Sequence, residues 1–239
     1  MLFPQFRQAD AGVQRQLEDE ASQLVGRRVR DFTGRTHEEV RVVLESGSPN
    51  AGILRVAEET RAGVLVVGPG GVAERVVRHA SCAVLIARRS GPGVVLAATD
   101  FSDPSLPAVA AGAAEAARRG VEFAVLHSVD LTPAAATPAL GAYPALAVLS
   151  AVDSAAVRDS TLARLRECLD RLEVVGTPIS AEGPAARAIL ETARTSPAEL
   201  VVWARWGGRA SRTWPSAALR KPSCRAAPCS TLVVRLRFA

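Results

Sequence analysis

The sequence has no long apolar run, and this absence limits where the protein can reside. A helix that spans a membrane needs about 20 predominantly apolar residues, and no stretch of the 239 residues meets that requirement. The first residues, MLFPQFRQAD, also lack the basic segment and apolar core of a secretory signal. We therefore expect a cytoplasmic protein that has no membrane partner.

Cysteine is scarce and is poorly spaced for metal chemistry. The four cysteines are Cys82, Cys168, Cys224 and Cys229. They form no CxxC pair, and no set of cysteine and histidine has the spacing of a zinc site. In a reducing compartment such thiols act as small apolar core residues, so we expect no metal site.

Lysine and aromatic residues are also rare. Lys221 is the only lysine, and aromatic residues make up 4% of the chain. The arginines are spread along predicted helices, whereas a nucleic-acid interface favours basic clusters interleaved with aromatics. The net charge of +5 is modest, and no nucleic-acid partner is expected.

An internal repeat is the main feature that the sequence does contain. Ile53–Gly68 (ILRVAEETRAGVLVVG) aligns without a gap with Ile189–Ala204 (ILETARTSPAELVVWA) at an offset of 136. His79–Arg88 aligns with Ala226–Arg235 at an offset of 147. The offsets differ by 11 residues (147 against 136), so the first copy is shorter between its last two strands.

Each copy alternates apolar strands with amphipathic helices. The run Val64–Val67 has no polar alternation, which predicts a strand buried on both faces. The second copy has more in front: a strand at Val94–Asp100, a helix that starts at Ser102-Asp103-Pro104 and ends at Gly120, and a strand at Val121–Asp130. Residues 131–153 are predicted to be mostly loop. This order predicts an α/β fold with parallel, doubly wound sheets.

The first copy lacks sequence for the first two strands of such a unit. Its third strand is predicted at Val40–Leu44, after a helix that ends at Gly26. We therefore predict an incomplete unit at residues 1–90 and a complete unit at residues 91–239. The linker between them is Arg89–Gly93.

Three segments resemble the universal stress protein family. They are ATDFSDPS (Ala98–Ser105), LHSVD (Leu126–Asp130) and GVAERVVRHASCAVLIAR (Gly71–Arg88), so the resemblance covers most of the second copy and the later part of the first. It implies two flavodoxin-like (adenine nucleotide alpha hydrolase-like) units whose five strands lie in the order 3-2-1-4-5. It also implies a role in the stress response, pairing of units through their fifth strands, and ATP binding by many members but not all.

Pairing of the fifth strands would join Ala83–Ala87 to Thr231–Arg235 across a pseudo-two-fold axis and hide two apolar sheet edges. This intramolecular pairing needs no partner chain, although a homodimer and an unidentified protein partner stay open. The incomplete unit has two explanations. Either the true start lies upstream of Met1, or the first copy is a partial unit supported by the second.

The family's ATP pattern is degenerate in the second copy. That pattern is Gly, two residues, Gly, nine residues, then Gly-Ser or Gly-Thr, and it falls on Ala204, Gly207, Ala217 and Ala218. Backbone N–H groups approach phosphate closely only where no Cβ intrudes, and the hydroxyl adds a donor. Two lost charge-assisted hydrogen bonds, each worth about 1.5–3 kcal/mol, would weaken binding by about two to four orders of magnitude.

The adenosine side of the pattern is better preserved. Asp100 matches the acidic residue that would lie near the adenosine moiety, and Ala98 and Ser128 match its neighbours. With the four residues of the ATP pattern they form the candidate cofactor site, which implies either no cofactor or weakly bound ATP or AMP. Trp203, Trp206 and Trp214 are predicted to lie at the mouth of this crevice. They could pack against the core or the loop, plug the ligand site, or stack on a flat ligand.

The leading alternative from another class is an NADP-dependent oxidoreductase. Gly68–Ala73 (GPGGVA) fits G-x-G-x-x-A between a strand and a helix, and Arg88-Arg89 follows the next strand, where it could pair a phosphate. The repeat explains the same residues as a shortened loop. His127 is interpreted as a core residue and Asp103 as a helix cap, which leaves no nucleophile with a base. We expect a regulatory or binding protein, not an enzyme, and no catalytic residues.

Overall fold

The computed structural model describes residues 11–35, 39–130, 154–205 and 226–235, and the chain divides into two compact units at residues 1–52 and 53–239. In the first unit, helix α1 (Ala11–Thr33) is followed by residues 39–48, which form neither helix nor strand. No helix in the described ranges is long and apolar enough to cross a membrane.

Helix α1 continues past Gly26, so the predicted helix end is wrong. A glycine inside a helix costs about 1 kcal/mol relative to alanine, and strong helix formers such as Arg27 and Arg28 follow it directly. The helix instead ends before Gly34, which has φ of +66° and donates its N–H to Arg30 O at 2.9 Å. Glycine adopts this left-handed conformation without a Cβ penalty.

The predicted strand at Val40–Leu44 is also wrong. Those residues have no strand geometry, and the described part of the first unit contains no other strand that could pair with them. Val43 and Leu44 are 40% and 41% exposed. A single strand gains neither ladder hydrogen bonds nor a covered face, so it is not stable alone.

The second unit alternates strands and helices after helix α2 (Pro49–Glu59). In chain order the elements are β1 (Val64–Val67), α3 (Gly71–His79), β2 (Ala83–Ile86), β3 (Val94–Ala98), a 3₁₀ turn (Asp103–Ser105), α4 (Leu106–Arg119), β4 (Phe123–Val129), α5 (Ser154–Arg171), β5 (Thr177–Glu182), α6 (Ala185–Thr195), β6 (Ala198–Arg205) and β7 (Ser230–Arg235).

The seven strands form one sheet in the order β1-β2-β7-β6-β3-β4-β5. The five strands of the second copy therefore lie as β5-β4-β3-β6-β7, which is the expected order 3-2-1-4-5, and they pair in parallel. The predicted α/β class and the predicted strand order are confirmed. Residues 131–153, predicted as a loop, lie outside the described residues.

The two copies join through their fifth strands, as predicted. Strands β2 and β7 pair antiparallel, with Val84 opposite Val233 and Leu85 opposite Leu232. Leu85 and Leu232 correspond in the repeat at the offset of 147. The pairing is therefore symmetric about equivalent residues, which is the register that a pseudo-two-fold axis requires.

The sheet is covered by helices on both faces. On one face, α4 and α5 pack Val109 and Leu165 against β3, β4 and β6. On the other face, α3 and α6 pack Ala73 and Ile189 around Trp203 of β6. This double layer places the ends of the central strands between two groups of helices, where an α/β fold forms its ligand crevice.

Strand β1 is the outer strand of the sheet, and it is not buried on both faces as predicted. Val64 and Val66 are 51% and 60% exposed, whereas their repeat counterparts Leu200 and Val202 are 1% and 0% exposed. In the second copy, β3 lies beside β6 at the corresponding edge. No described strand takes that place beside β1, which explains the difference in burial.

The linker is held against β6 by a buried carboxylate. Glu199 Oε2 accepts a hydrogen bond from Gly93 N at 3.1 Å, and its Oε1 lies 2.7 Å from Arg119 Nη1. A Cβ at Gly93 would come within 1.9 Å of Pro197 O, so only glycine fits this approach. The boundary between residues 1–90 and 91–239 falls in this linker, and the division into those two units stays a prediction.

Candidate functional site

The strand order creates one crevice in the described sheet. The chain leaves β3 to form β4 on one side, and β6 later adds on the other side of β3. Because the connections after β3 and β6 run to opposite sides, the carboxyl ends of these strands border an open crevice, where doubly wound folds bind ligands.

Four of the predicted site residues lie at this edge of the sheet. Ala98 ends β3 and is 3% exposed, and Asp100 follows two residues later. Ser128 lies near the end of β4, and Ala204 is the next-to-last residue of β6. Gly207, Ala217 and Ala218, which complete the predicted site, lie outside the described residues.

The loop that carries Asp100 is fixed by its own hydrogen bonds. Asp100 Oδ1 accepts from Ser102 N at 2.9 Å and also from the Ser102 hydroxyl. The Thr99 and Ser105 hydroxyl oxygens are 2.7 Å apart, and Phe101 N donates to Thr99 Oγ1 at 3.0 Å. Phe101 has φ of +64°, a backbone conformation that residues other than glycine rarely adopt. No sequence pattern indicated this network of Thr99, Ser102 and Ser105.

The prediction that Asp103 caps the next helix is wrong. The helical turn begins with Asp103, so the cap position falls on Ser102, and no side chain there bonds to the helix N-terminus. The Ser102 hydroxyl bonds to Asp100 instead. Asp103 is an exposed carboxylate in the first turn, where a negative charge is favourable next to the positive end of the peptide dipoles.

His127 contacts two residues of the same loop. Its Nδ1 lies 2.8 Å from Thr99 O, and its ring lies 4.3 Å from the Phe101 ring between centroids. Burial lowers the pKa of His127, and the bond to the Thr99 carbonyl opposes that effect only in part. The Arg164 guanidinium lies over the Phe101 ring, 4.1 Å from its centroid. Burial therefore favours the neutral form of the His127 imidazole, which packs against the loop and holds it in place.

Of the three tryptophans, Trp203 lies in the core. It is 3% exposed and belongs to the same cluster as Ala98 and Val201. Core packing is therefore the role that the structure gives to Trp203, and a ring this deeply buried has no free face for a ligand. Trp206 and Trp214 lie outside the described residues.

The three cysteines that the structure describes are buried, and Cys224 lies outside the described residues. Cys82 and Cys229 are 6% and 1% exposed, and burial raises the pKa of the Cys229 thiol to about 11. Burial also raises the pKa of Cys168. Thiolates are the nucleophilic and metal-binding form, so these side chains are packing residues. In the described ranges no three His, Cys, Asp or Glu side chains are close enough together to bind a metal ion.

The glycine-rich segment Gly68–Ala73 connects β1 to α3. Because β1 is the outer strand of the described sheet, no other described strand end borders this loop on its open side. A dinucleotide crevice needs such a neighbour. A Cβ at Gly68 would meet no atom within 4 Å, so packing does not require glycine there, whereas Gly70 has φ of +155°, a conformation that favours glycine. The geometry supports a shortened connection.

Two arginines at the same edge of the sheet were also missed. Arg205 ends β6 and Arg235 ends β7, and they donate to Val77 O and Ala80 O at the end of α3. Both arginines directly follow apolar runs, so the sequence predicts that they lie at strand ends. The sequence alone does not show that the β2–β7 junction brings the last turn of α3 beside them.

The comparisons with known proteins identify the family. A family model described as the universal stress protein family matches residues 3–88 and 93–235. The chain belongs to the universal stress protein family. The two matched segments agree with a tandem arrangement, and the first is the shorter. No curated protein matched the sequence.

Solved structures of universal stress proteins share this fold. One from Archaeoglobus fulgidus DSM 4304 has a TM-score of 0.64 at 14% identity and covers 98% of this chain and 82% of that chain. A protein described as functionally unknown from Pseudomonas aeruginosa PAO1 has a TM-score of 0.52 at 17% identity, with coverage of 96% and 79%. A universal stress protein described as putative from Pseudomonas aeruginosa UCBPP-PA14 has a TM-score of 0.50 at 16% identity, with coverage of 96% and 79%. At these identities the likeness concerns the fold.

Proposed function

We propose that this universal stress protein is a regulatory binding protein, not an enzyme, and that it acts in the stress response through contacts with other molecules. The candidate ligand site is the crevice between β3 and β6. The observation that carries the proposal is the position of Ala98, Asp100, Ser128 and Ala204 at one edge of the sheet. The family resemblance assigns Ala98, Asp100 and Ser128 to the adenosine side of a nucleotide and Ala204 to the first position of the ATP pattern.

Asp100 is the polar contact of this crevice. Both hydrogen bonds that the described residues give to its carboxylate are accepted by Oδ1, so Oδ2 is the atom that would accept from a ligand hydroxyl or amine. Its loop is rigid, because the Thr99–Ser105 contact and His127 hold the backbone on either side. A fixed acceptor lowers the entropy that ligand binding costs.

Nucleotide binding is proposed to be weak. Ala217 replaces the glycine of the family pattern and adds a Cβ in the phosphate turn, and Ala218 replaces the hydroxyl residue and removes its donor. We therefore expect ATP to bind with a Kd well above micromolar. An ATP or AMP sensor that uses the second copy is the alternative within the same class.

Titration calorimetry with adenosine, AMP and ATP tests the crevice. Asp100→Asn keeps an oxygen for the Ser102 bonds but removes the charge, and Asp103→Asn is the matched control, because Asp103 is exposed three residues away. Loss of a hydrogen bond to the charged group should weaken adenosine binding about tenfold or more. Equal affinities in the two variants would place the ligand elsewhere, and micromolar ATP binding would contradict the weak-site proposal.

The oxidoreductase alternative has its own test. NADPH should not raise the thermal midpoint of the protein if Gly68–Ala73 is only a connection. A saturable rise that Gly70→Val abolishes would favour the oxidoreductase. A cytoplasmic location and a homodimer belong to the proposal as predictions, which fractionation of the source cells and sedimentation of the purified chain would test.

A further inference from the structure

Helix α1 carries an exposed apolar stripe on one side. The stripe consists of Leu17, Leu24, Val25 and Phe32, which are 58%, 53%, 40% and 78% exposed. Their spacing along the chain places all four within about 100° of one another around an ideal helix. These four residues are called the α1 stripe below. A contiguous exposed apolar surface of this kind marks an interaction site more often than it marks free surface.

The second copy shows what covers the equivalent helix. That helix is α5, and it buries Leu165 and Leu169 in a cluster with Val125 of β4. The described part of the first unit contains no strand, so it offers α1 no sheet of this kind. The α1 stripe therefore keeps the apolar character of a core helix in a unit that lacks the matching strands.

The charges of α1 are divided between its two halves. Residues 11–22 carry three acidic side chains and one basic one, whereas residues 23–33 carry three basic side chains and one acidic one. Ion pairs within a helix span three or four residues, and Glu20 is already seven residues from Arg27. The helix dipole does not account for the acidic residues, because none is in the first turn and the effect falls off beyond that turn.

We propose that α1 pairs antiparallel with α1 of a second copy of this chain, through the α1 stripe. A parallel pair would place the two acidic halves side by side. An antiparallel pair places each acidic half beside a basic half, which is the complementary arrangement. With the pair centred between Leu24 and Val25, Leu17 comes level with Phe32 of the second copy, so the stripe covers itself along its whole length.

Glu20 and Arg27 give this pairing a specific contact. They are seven residues apart, which is about two turns, so they lie on the same side of the stripe. Residues that flank an apolar seam on the same side meet across an antiparallel two-fold pair. Each Glu20 therefore lies beside Arg27 of the second copy, and the pair contains this contact twice.

The length of α1 sets the expected strength. A helix of 23 residues is about 35 Å long and offers a strip about 10 Å wide. Two such strips together bury less than the about 1,200 Å² of a standard interface, so we expect a weak dimer that forms as the protein concentration rises. The inference names the surface of the homodimer predicted above and rests on that part of the proposed function. It does not depend on the ligand crevice.

Sedimentation of the full chain from about 10 μM to about 1 mM measures the pairing. Leu24→Glu places a charge at the centre of the stripe. Gln23→Glu is the matched control, because Gln23 is an exposed neighbour on another side of the helix. Leu24→Glu should weaken dimerisation about tenfold or more, since a buried charge would lack a partner, while the control dimerises like the parent. Dilute samples of all three should have the same urea midpoint.

A charge exchange tests the orientation. Glu20→Arg and Arg27→Glu should each weaken the dimer about threefold or more, and the double variant should restore it, because both pairs form again with opposite signs. In a parallel pair each residue would face its own copy, so neither single variant would change the affinity. Glu20 also accepts a hydrogen bond from Gln16 Nε2 at 3.2 Å, so circular dichroism checks that each variant keeps the parent's helix content.

The outcomes separate this surface from the rest of the proposal. A dimer that Leu24→Glu leaves unchanged would keep the homodimer prediction and overturn the inference. A chain that stays monomeric over this range would overturn both. A lower urea midpoint for dilute Leu24→Glu would show that the stripe is covered within its own chain, which also overturns the inference. Adenosine binding by Leu24→Glu should match the parent, so the crevice stands or falls by its own titration.

Discussion

The burial difference between the two repeats predicts different costs for the same substitution. Val66 in β1 and Val202 in β6 correspond at the offset of 136. Val202 is 0% exposed and lies between Ala97 of β3 and Leu232 of β7. Val66 is 60% exposed on the outer strand. Replacing each with alanine removes the same two carbon atoms.

The expected magnitudes follow from the area that each side chain buries. Two buried carbons are worth about 1.6 kcal/mol at about 0.8 kcal/mol each, and the cavity left in a packed core raises the cost of Val202→Ala to about 2–3 kcal/mol. Only about two fifths of Val66 is removed from water. Val66→Ala should therefore cost about 0.6 kcal/mol or less.

Urea unfolding measures both costs. The midpoints should separate clearly while the slopes stay equal to that of the parent, because neither change alters the surface exposed on unfolding. The measurement is repeated over a tenfold range of protein concentration. Equal costs for the two variants would refute the reasoning, because Val66 would then be covered in solution. A cost at Val66 that grows with concentration would identify a second chain as the cover.

Three further substitutions or measurements test other parts of the structure. Gly93→Ala should destabilise the fold by about 1–3 kcal/mol through its clash with Pro197 O, whereas Gly91→Ala, which meets no atom within 4 Å, should have little effect on the urea midpoint. Burial lowers the pKa of His127, so its stabilising contribution is present above about pH 6.5 and is lost as the pH falls below that value. His127→Gln should reduce the difference between urea midpoints at pH 7.5 and 5.5. Cys229 should react with a thiol reagent at pH 8 only on unfolding, because its pKa is about 11; rapid labelling of the native chain would contradict its burial.

The parts of the fold that local patterns specify were predictable. Continuous apolar runs placed six of the seven strands, because strands buried in a parallel sheet need no polar alternation; β5 (TPISAE) has no such run. Gly120 ends α4 with φ of +67° and donates its N–H to Ala117 O at 3.2 Å. The presence of a glycine after the helical pattern was enough to predict this helix end. The repeat itself gave the symmetric pairing of Leu85 with Leu232.

The errors arose where the structure depends on a neighbour that the sequence does not show. Val40–Leu44 has the composition of a strand, but a strand also needs a partner for its backbone groups. Val64–Val67 was predicted to be buried because the run has no polar alternation, yet the burial of a strand also depends on the strand beside it in the sheet. Of the candidate site, the strand-end positions of Ala98 and Asp100 were predictable. The contacts of Arg205 and Arg235 with α3 were not, because they form across the junction of the two copies.

The topology limits the number of crevices that the described sheet can offer. A switch-point crevice needs the end of a first strand beside the end of a fourth strand, and the second copy has both in β3 and β6. The first copy contributes β1 and β2, its fourth and fifth strands, with no described strand beyond β1. A ligand that binds at such a crevice should therefore show a stoichiometry of one per chain in calorimetry. Two equivalent sites, both weakened by Asp100→Asn, would contradict this argument, because Asp100 borders only the crevice of the second copy.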